Sequence, residues 1–108
     1  MLFRSSSMFK RATSFNSTLT FRNMEKVSNM SFMFSEATSF NQPLNWQMKS
    51  VDNMSYMFSG ATSFNKPLSW DIQKATNIEG IFMRATSFNS TLTLFNTTKL
   101  SVDRKSVV

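Results

Sequence analysis

The chain has 108 residues and a formal net charge of +6, from twelve lysines and arginines against six acidic residues. A chain of this length forms one domain with a small core. It has no cysteine and no histidine, which excludes disulfide frameworks, thiolate metal sites and mechanisms that depend on a histidine base.

A pentapeptide, ATSFN, occurs four times, beginning at residues 12, 37, 61 and 85. An element that recurs at a fixed interval usually packs against its own copies. We therefore predict a single domain over 1–108, made of a partial repeat (1–11), repeats 12–36, 37–60 and 61–84, and a degenerate terminal repeat (85–108). The full repeats are called copies 1 to 3 below, and the terminal repeat copy 4.

Each copy opens with ATSFN, which we interpret as a corner that the chain needs once per turn. We expect the Asn of this corner to bond to the Asn of the next copy. The Thr and Ser hydroxyls are expected to satisfy backbone groups at the corner.

A short alternation of apolar and polar residues follows the corner, as in Leu44-Asn45-Trp46 of copy 2. This alternation predicts a short strand, entered through a proline that needs no hydrogen-bond partner for its nitrogen. Trp46 and Trp70 occupy the repeat position that is held by Phe21 in copy 1 and by Leu94 in copy 4. Such interchange favours a core position over an aromatic platform for nucleic acid.

The second half of each copy predicts a short helical turn. In copy 2, one helical face would carry the apolar residues Val51, Met54, Met57, Phe58 and Ala61. One strand and one helical turn cannot bury their apolar residues alone, so the copies must stack, like position over like. Stacking predicts two aromatic columns, Phe15, Phe40, Phe64 and Phe88 in one, and Phe9, Phe34, Phe58 and Phe82 in the other.

The segment VDNMSYMFSGATSFNKPLSW (51–70), echoed at 27–46, resembles the repeat of BspA-like leucine-rich-repeat surface proteins, known as domain of unknown function 285. The resemblance implies an α/β fold, a right-handed leucine-rich-repeat-like solenoid of about four turns, each a short parallel strand plus a short helical turn. It also implies a cell-surface or secreted protein linked to adhesion. No signal peptide or anchor is visible in the sequence.

From these features we expect a non-catalytic protein-interaction module, a piece of a longer array, that binds a protein or another cell-surface ligand. We expect no enzyme activity, cofactor, metal, specific nucleic acid or transmembrane segment. We do expect self-association through the uncapped ends of the solenoid. A structural spacer and a weak polyanion-binding basic solenoid are the alternatives. The expected binding face comprises the outward residues of the strands and corners: Thr18, Thr20, Gln42, Asn45, Lys66, Ser69 and Thr93.

Overall fold

The structure is a computed structural model that describes residues 6–20 and 24–100. Its regular secondary structure there is two short strands, β1 (Leu68–Asp71) and β2 (Leu92–Phe95). The two strands pair in parallel. The rest of the described chain forms turns and irregular segments, and none of it is helical.

The predicted fold class is therefore wrong. An α/β solenoid with a helical turn and a strand in each of about four turns would show several helices and strands, and the described residues hold only β1 and β2. The division into repeats within one domain stays a prediction, and parts of it, residues 1–5, 21–23 and 101–108, lie outside the described residues. What the structure does have is equivalent residues of successive copies lying side by side.

Backbone bonding explains why the apolar stripe of copy 2 is not a helix. From Met54 to Gly60, every second amide donates to a carbonyl of copy 3, as Phe58 does to Ile81 at 2.9 Å. The amides of Met57, Ser59 and Ala61 close turns onto the carbonyl three residues back, as Ala61 does to Phe58 at 3.0 Å. An α-helix needs the carbonyl four residues back, so the stripe at 51–61 arises from consecutive turns.

Left-handed residues enforce this turn pattern. Tyr56 has φ 56° and Gly60 has φ 73°, and an α-helix cannot continue through a residue in that region. The same conformation recurs at the equivalent positions of the other copies, in Ser7, Arg11, Phe32, Glu36, Gly80 and Arg84. The partial repeat and copies 1 to 3 therefore each contain two left-handed residues four positions apart.

Both predicted aromatic columns are confirmed. Rings one copy apart are stacked at 5.7 to 6.0 Å in the column that contains Phe40 and Phe64. In the column that contains Phe34 and Phe58 the separation is 5.5 to 5.7 Å. The columns also touch, because the ring centroid of Phe58, near the end of copy 2, lies 4.4 Å from that of Phe64, near the start of copy 3. All four of these central rings have no exposed surface, and burial of each contributes about 1.5–3 kcal/mol.

A ladder of asparagines runs along the corners. The backbone amides of Asn41, Asn65 and Asn89 each donate to the side-chain oxygen of the preceding copy's Asn, with N···O distances of 2.7 to 2.8 Å. This part of the corner prediction is confirmed. The part on Thr and Ser is wrong, because these side chains are exposed and make no hydrogen bond within the described residues.

On the strand side, the two tryptophans donate hydrogen bonds to backbone carbonyls of the preceding copy. The indole N–H of Trp70 donates to the carbonyl of Leu44 at 3.1 Å, and that of Trp46 to Leu19 at 3.4 Å. A parallel ladder needs such carbonyls for backbone amides. In copy 4 the position of Trp is taken by Leu94, which has no side-chain donor, and there the backbones pair as β1 and β2.

Candidate binding surfaces

The seven residues predicted as a binding face are called the strand face. Thr18, Thr20, Asn45 and Ser69 are exposed, and the other three are half-buried. Ser69 and Thr93 lie side by side in the register of β1 and β2. These side chains point away from the buried Leu68 and Trp70.

Side-chain contacts of Gln42 join the strand face internally and link it to the asparagine ladder. The hydroxyl of Thr18 lies 3.5 Å from the side-chain oxygen of Gln42. The amide nitrogen of Gln42 donates to the backbone and side-chain oxygens of Asn16, both at 3.1 Å. Within the described residues, no side-chain hydrogen bond joins Thr20, Asn45 or Lys66 to the rest of the set. The strand face is thus a row of neighbouring polar groups and not a preformed pocket.

A second surface, which we call the turn groove, was not expected from the sequence. It is an open groove of about 660 Å³ along the left-handed turns, lined by residues of the partial repeat and of copies 1 to 3. Its charged and aromatic lining residues are Lys10, Arg11, Phe32, Glu36 and Arg84. Gly60, Ser35, Ser59 and the exposed corner threonines Thr13, Thr38 and Thr62 form the rest of its walls.

Charge in the turn groove is unevenly paired. Arg11 and Glu36 form an ion pair at 2.9 Å with both side chains more than half exposed, and such surface pairs contribute about 0–1 kcal/mol. The Lys10 ammonium lies 4.9 Å from the ring centroid of Phe32. The Arg84 side chain has no ion pair or hydrogen bond within the described part of the chain.

Phe32 lines the turn groove and stacks on Tyr56, which lies beside the groove. Phe32 and Tyr56 are half-buried and stack at 5.1 Å. The Tyr56 ring covers Gly80 so closely that a Cβ there would lie 2.4 Å from the ring. The phenol of Tyr56 donates to the carboxylate of Glu79 at 3.2 Å. This hydrogen bond and the negative charge of Glu79 raise the pKa of Tyr56 above its ordinary value.

The turn groove escaped prediction because its residues lie far apart in the chain and gather only when the copies stack. The repeat alignment did hold one signal. The position occupied by Phe32 and Tyr56 carries Ser7 and Gly80 in the neighbouring copies, and such variation from aromatic to small and polar is typical of an outward position.

Two other kinds of site were sought in residues 6–20 and 24–100. No group of three acidic side chains lies close enough together to hold a metal ion. No helix of the described chain has the length and apolarity to cross a membrane.

Comparison with known proteins gave one match. A search of curated proteins and a search of solved structures each found none. A family model described as "Mycoplasma protein of unknown function, DUF285" matches residues 4–107, almost the whole sequence. The leucine-rich-repeat character of the sequence resemblance stays a prediction, since that description does not mention it. The chain belongs to the DUF285 family.

Proposed function

We propose that this chain is a non-catalytic protein-interaction module of the surface or adhesion type, built from BspA-like repeats and exposed at the cell surface or secreted. The observation that carries the proposal is the register of the copies. Stacking buries the central rings of the Phe columns and places equivalent polar side chains side by side on the outward face, as at Ser69 and Thr93. Repeat proteins commonly bind partners along such extended surfaces.

Three carboxylates of the described chain support a non-catalytic role, because each is engaged in a structural contact between copies. Asp52 accepts a hydrogen bond from the hydroxyl of Thr76, and Asp71 accepts one from Asn96 at 2.8 Å. Glu79 is held by Tyr56. A general acid or base requires a carboxyl group that is free to exchange protons with a substrate.

Two alternatives remain distinct in what they predict. A structural spacer would bind no partner through either the strand face or the turn groove. A polyanion-binding module would respond to any loss of positive charge and to salt, because such binding depends on the number of cations more than on their place.

Binding of the full chain to immobilised extracellular-matrix proteins and to epithelial cells tests the proposal. One variant alters the strand face, Asn45→Glu with Ser69→Glu, and its control is Gln73→Glu with Ser87→Glu, which changes two exposed side chains outside the strand face and the turn groove by the same charge. A second variant removes two groove cations, Lys10→Gln with Arg84→Gln, and its control is Lys49→Gln with Lys74→Gln.

We expect the chain to bind, and one of the two surface variants to lose roughly tenfold or more in affinity, as removal of hydrogen bonds to charged or polar groups does. The controls should stay within about twofold. Absence of binding would favour the spacer. Equal losses in the groove variant and its lysine control, with a steep salt dependence, would favour the polyanion reading.

A further inference from the structure

We infer that the turn groove binds an extended acidic segment of a partner protein, with Arg84 and Lys10 as the side chains that receive its carboxylates. This inference rests on the proposed function as an interaction module and specifies the surface and the chemistry of the partner.

Charge complementarity favours an acidic partner. Three cations line the turn groove against one carboxylate, and that carboxylate, on Glu36, is already paired with Arg11. Arg84 therefore offers a free guanidinium, within the described residues, at one end of the turn groove. A guanidinium binds a carboxylate through two parallel hydrogen bonds, which makes arginine well suited to this recognition.

Gly60 gives the ligand access to Arg84. In the column of left-handed residues, Gly60 lies between Glu36 and Arg84 and has no side chain to fill that layer. Its amide is already bonded to the carbonyl of Met83 at 2.7 Å. The ligand would therefore be held by side chains, with the exposed hydroxyl of Thr62 next to this opening.

The length of the turn groove sets the spacing of the acidic residues. Lys10 belongs to the partial repeat and Arg84 to copy 3, so they lie three copies apart. At ~4.8 Å between neighbouring copies this amounts to roughly 14 Å, which an extended peptide covers in about four residues. Residues i and i+4 of an extended peptide point to the same side, so the two carboxylates would face the groove together.

The aromatic side chains favour a peptide over a sugar or a base. One face of Phe32 is covered by Lys10 and the other by Tyr56, whose own second face lies on Gly80. No ring face is free for the stacking that a base would require. The corner threonines can both donate and accept hydrogen bonds, which suits the amide and carbonyl groups of a peptide backbone.

Fluorescence anisotropy with two labelled peptides of identical composition tests the inference. Ac-TETVTET-NH2 carries its glutamates four residues apart, and Ac-TEEVTTT-NH2 carries them side by side. We expect the first peptide to bind the full chain at least about fivefold more tightly, because only its carboxylates reach Lys10 and Arg84 together.

Variants then locate the peptide. Lys10→Gln with Arg84→Gln should weaken binding of the first peptide roughly tenfold or more, whereas Lys49→Gln with Lys74→Gln, which removes the same charge outside the groove, should leave it within about twofold. Thr62→Trp should block the groove. Thr86→Trp alters the equivalent exposed position of copy 4, which does not line the groove, and should have no effect. Circular dichroism confirms that each variant is folded.

Three results would overturn the inference: equal affinity for the two peptides, equal effects of the groove variants and their controls, or tighter binding of a heparin oligosaccharide that depends on the same groove residues. If the peptides fail to bind while matrix-protein binding depends on Asn45 and Ser69, only this inference falls. If neither peptide nor matrix protein nor cell is bound, the proposed function falls with it.

Discussion

The two sides of each copy are built differently although they share one period. On the turn side, residues 28–36, 52–60 and 76–84, the same alternation of backbone bonds recurs between successive copies. On the strand side, residues 44–47, 68–71 and 92–95, strands pair only between copies 3 and 4. The turn side tolerates Ser, Phe, Tyr or Gly at one outward position. On the strand side, strands pair where Leu94 stands at the position that Trp46 and Trp70 hold in copies 2 and 3.

On the turn side, neighbouring copies are joined by backbone hydrogen bonds. On the strand side, hydrogen bonding between copies depends on which side chains are present. Turn-side amides and carbonyls are satisfied within the copy and by its neighbours, and buried backbone groups require such partners. On the strand side the indole groups of Trp46 and Trp70 take carbonyls that a sheet would use. Four measurements test this difference between the two sides.

The largest effect is expected where the turn side meets the corner. Phe64→Ala removes a ring with no exposed surface and should lower the free energy of unfolding by about 3–5 kcal/mol. Phe88→Ala removes the equivalent ring of copy 4, which is only half-buried, and should cost clearly less. Urea denaturation measures both. Equal losses would contradict the column as the main support of the central copies.

The second test concerns the left-handed positions of the turn side. Gly80→Ala places a Cβ 2.4 Å from the ring of Tyr56, in addition to the cost of about 1–2 kcal/mol for a left-handed side chain. Gly60→Ala meets only the flexible Glu36 side chain, at 3.2 Å, and should show the backbone cost alone.

A double variant separates the two contributions. In a Tyr56→Ser background, Gly80→Ala should cost no more than Gly60→Ala does in the parent chain. An undiminished cost in that background would mean that the aromatic ring does not occupy the space above Gly80. The free energies again come from urea denaturation.

The third test addresses the strand side. Trp70→Phe keeps an aromatic ring but removes the donor to the Leu44 carbonyl, so the free energy of unfolding should fall by about 1 kcal/mol. The freed carbonyl becomes available to the backbone of copy 3, and hydrogen exchange of amides 68–71 should slow relative to the global unfolding rate. Faster exchange at these amides would show that the indole supports strand pairing.

The smallest effect is a pH dependence on the turn side. The pKa of Tyr56 is raised above its ordinary value of 10.0 by its hydrogen bond to Glu79. The neutral phenol is therefore favoured in the folded state, and its contribution to stability is complete below pH 10.0 and is lost as the pH rises through the folded-state pKa.

The chain offers a direct measurement, because Tyr56 is its single tyrosine. Ultraviolet absorbance of the phenolate should titrate at higher pH in the folded chain than in urea. Glu79→Gln should lower the folded-state midpoint, and Glu25→Gln serves as a control for loss of an acidic residue elsewhere. A midpoint that ignores Glu79 would contradict the hydrogen bond.

Sequence reasoning succeeded where stacking alone determines the result. The period of ATSFN places Phe40 over Phe64 and Asn41 beside Asn65 whatever the local conformation, and both contacts are present. It failed on the helix, because an apolar stripe with helical spacing also fits consecutive turns. Phe32 and Tyr56 are left-handed although neither is glycine, the residue that usually indicates this conformation in a sequence.

Prediction of the site met a related difficulty. The strand face followed from alternation along one segment, so its exposed residues could be named in advance. The turn groove combines Lys10 with Arg84, and their proximity to one groove depends on how the turns present side chains in four successive layers. The opening of the groove depends on Gly60, and a single glycine in the sequence does not indicate that a groove is open at that point.

The asparagine ladder has a consequence for how such chains can change in length. Each bond runs from an amide of one copy to the side-chain oxygen of the copy before it, so every layer has a donating edge and an accepting edge. Deletion of residues 37–60 by unequal recombination would bring Asn65 opposite Asn16 and restore an equivalent bond. Loss or gain of a whole repeat is thus a small perturbation, whereas a shift of a few residues would misalign every layer beyond it.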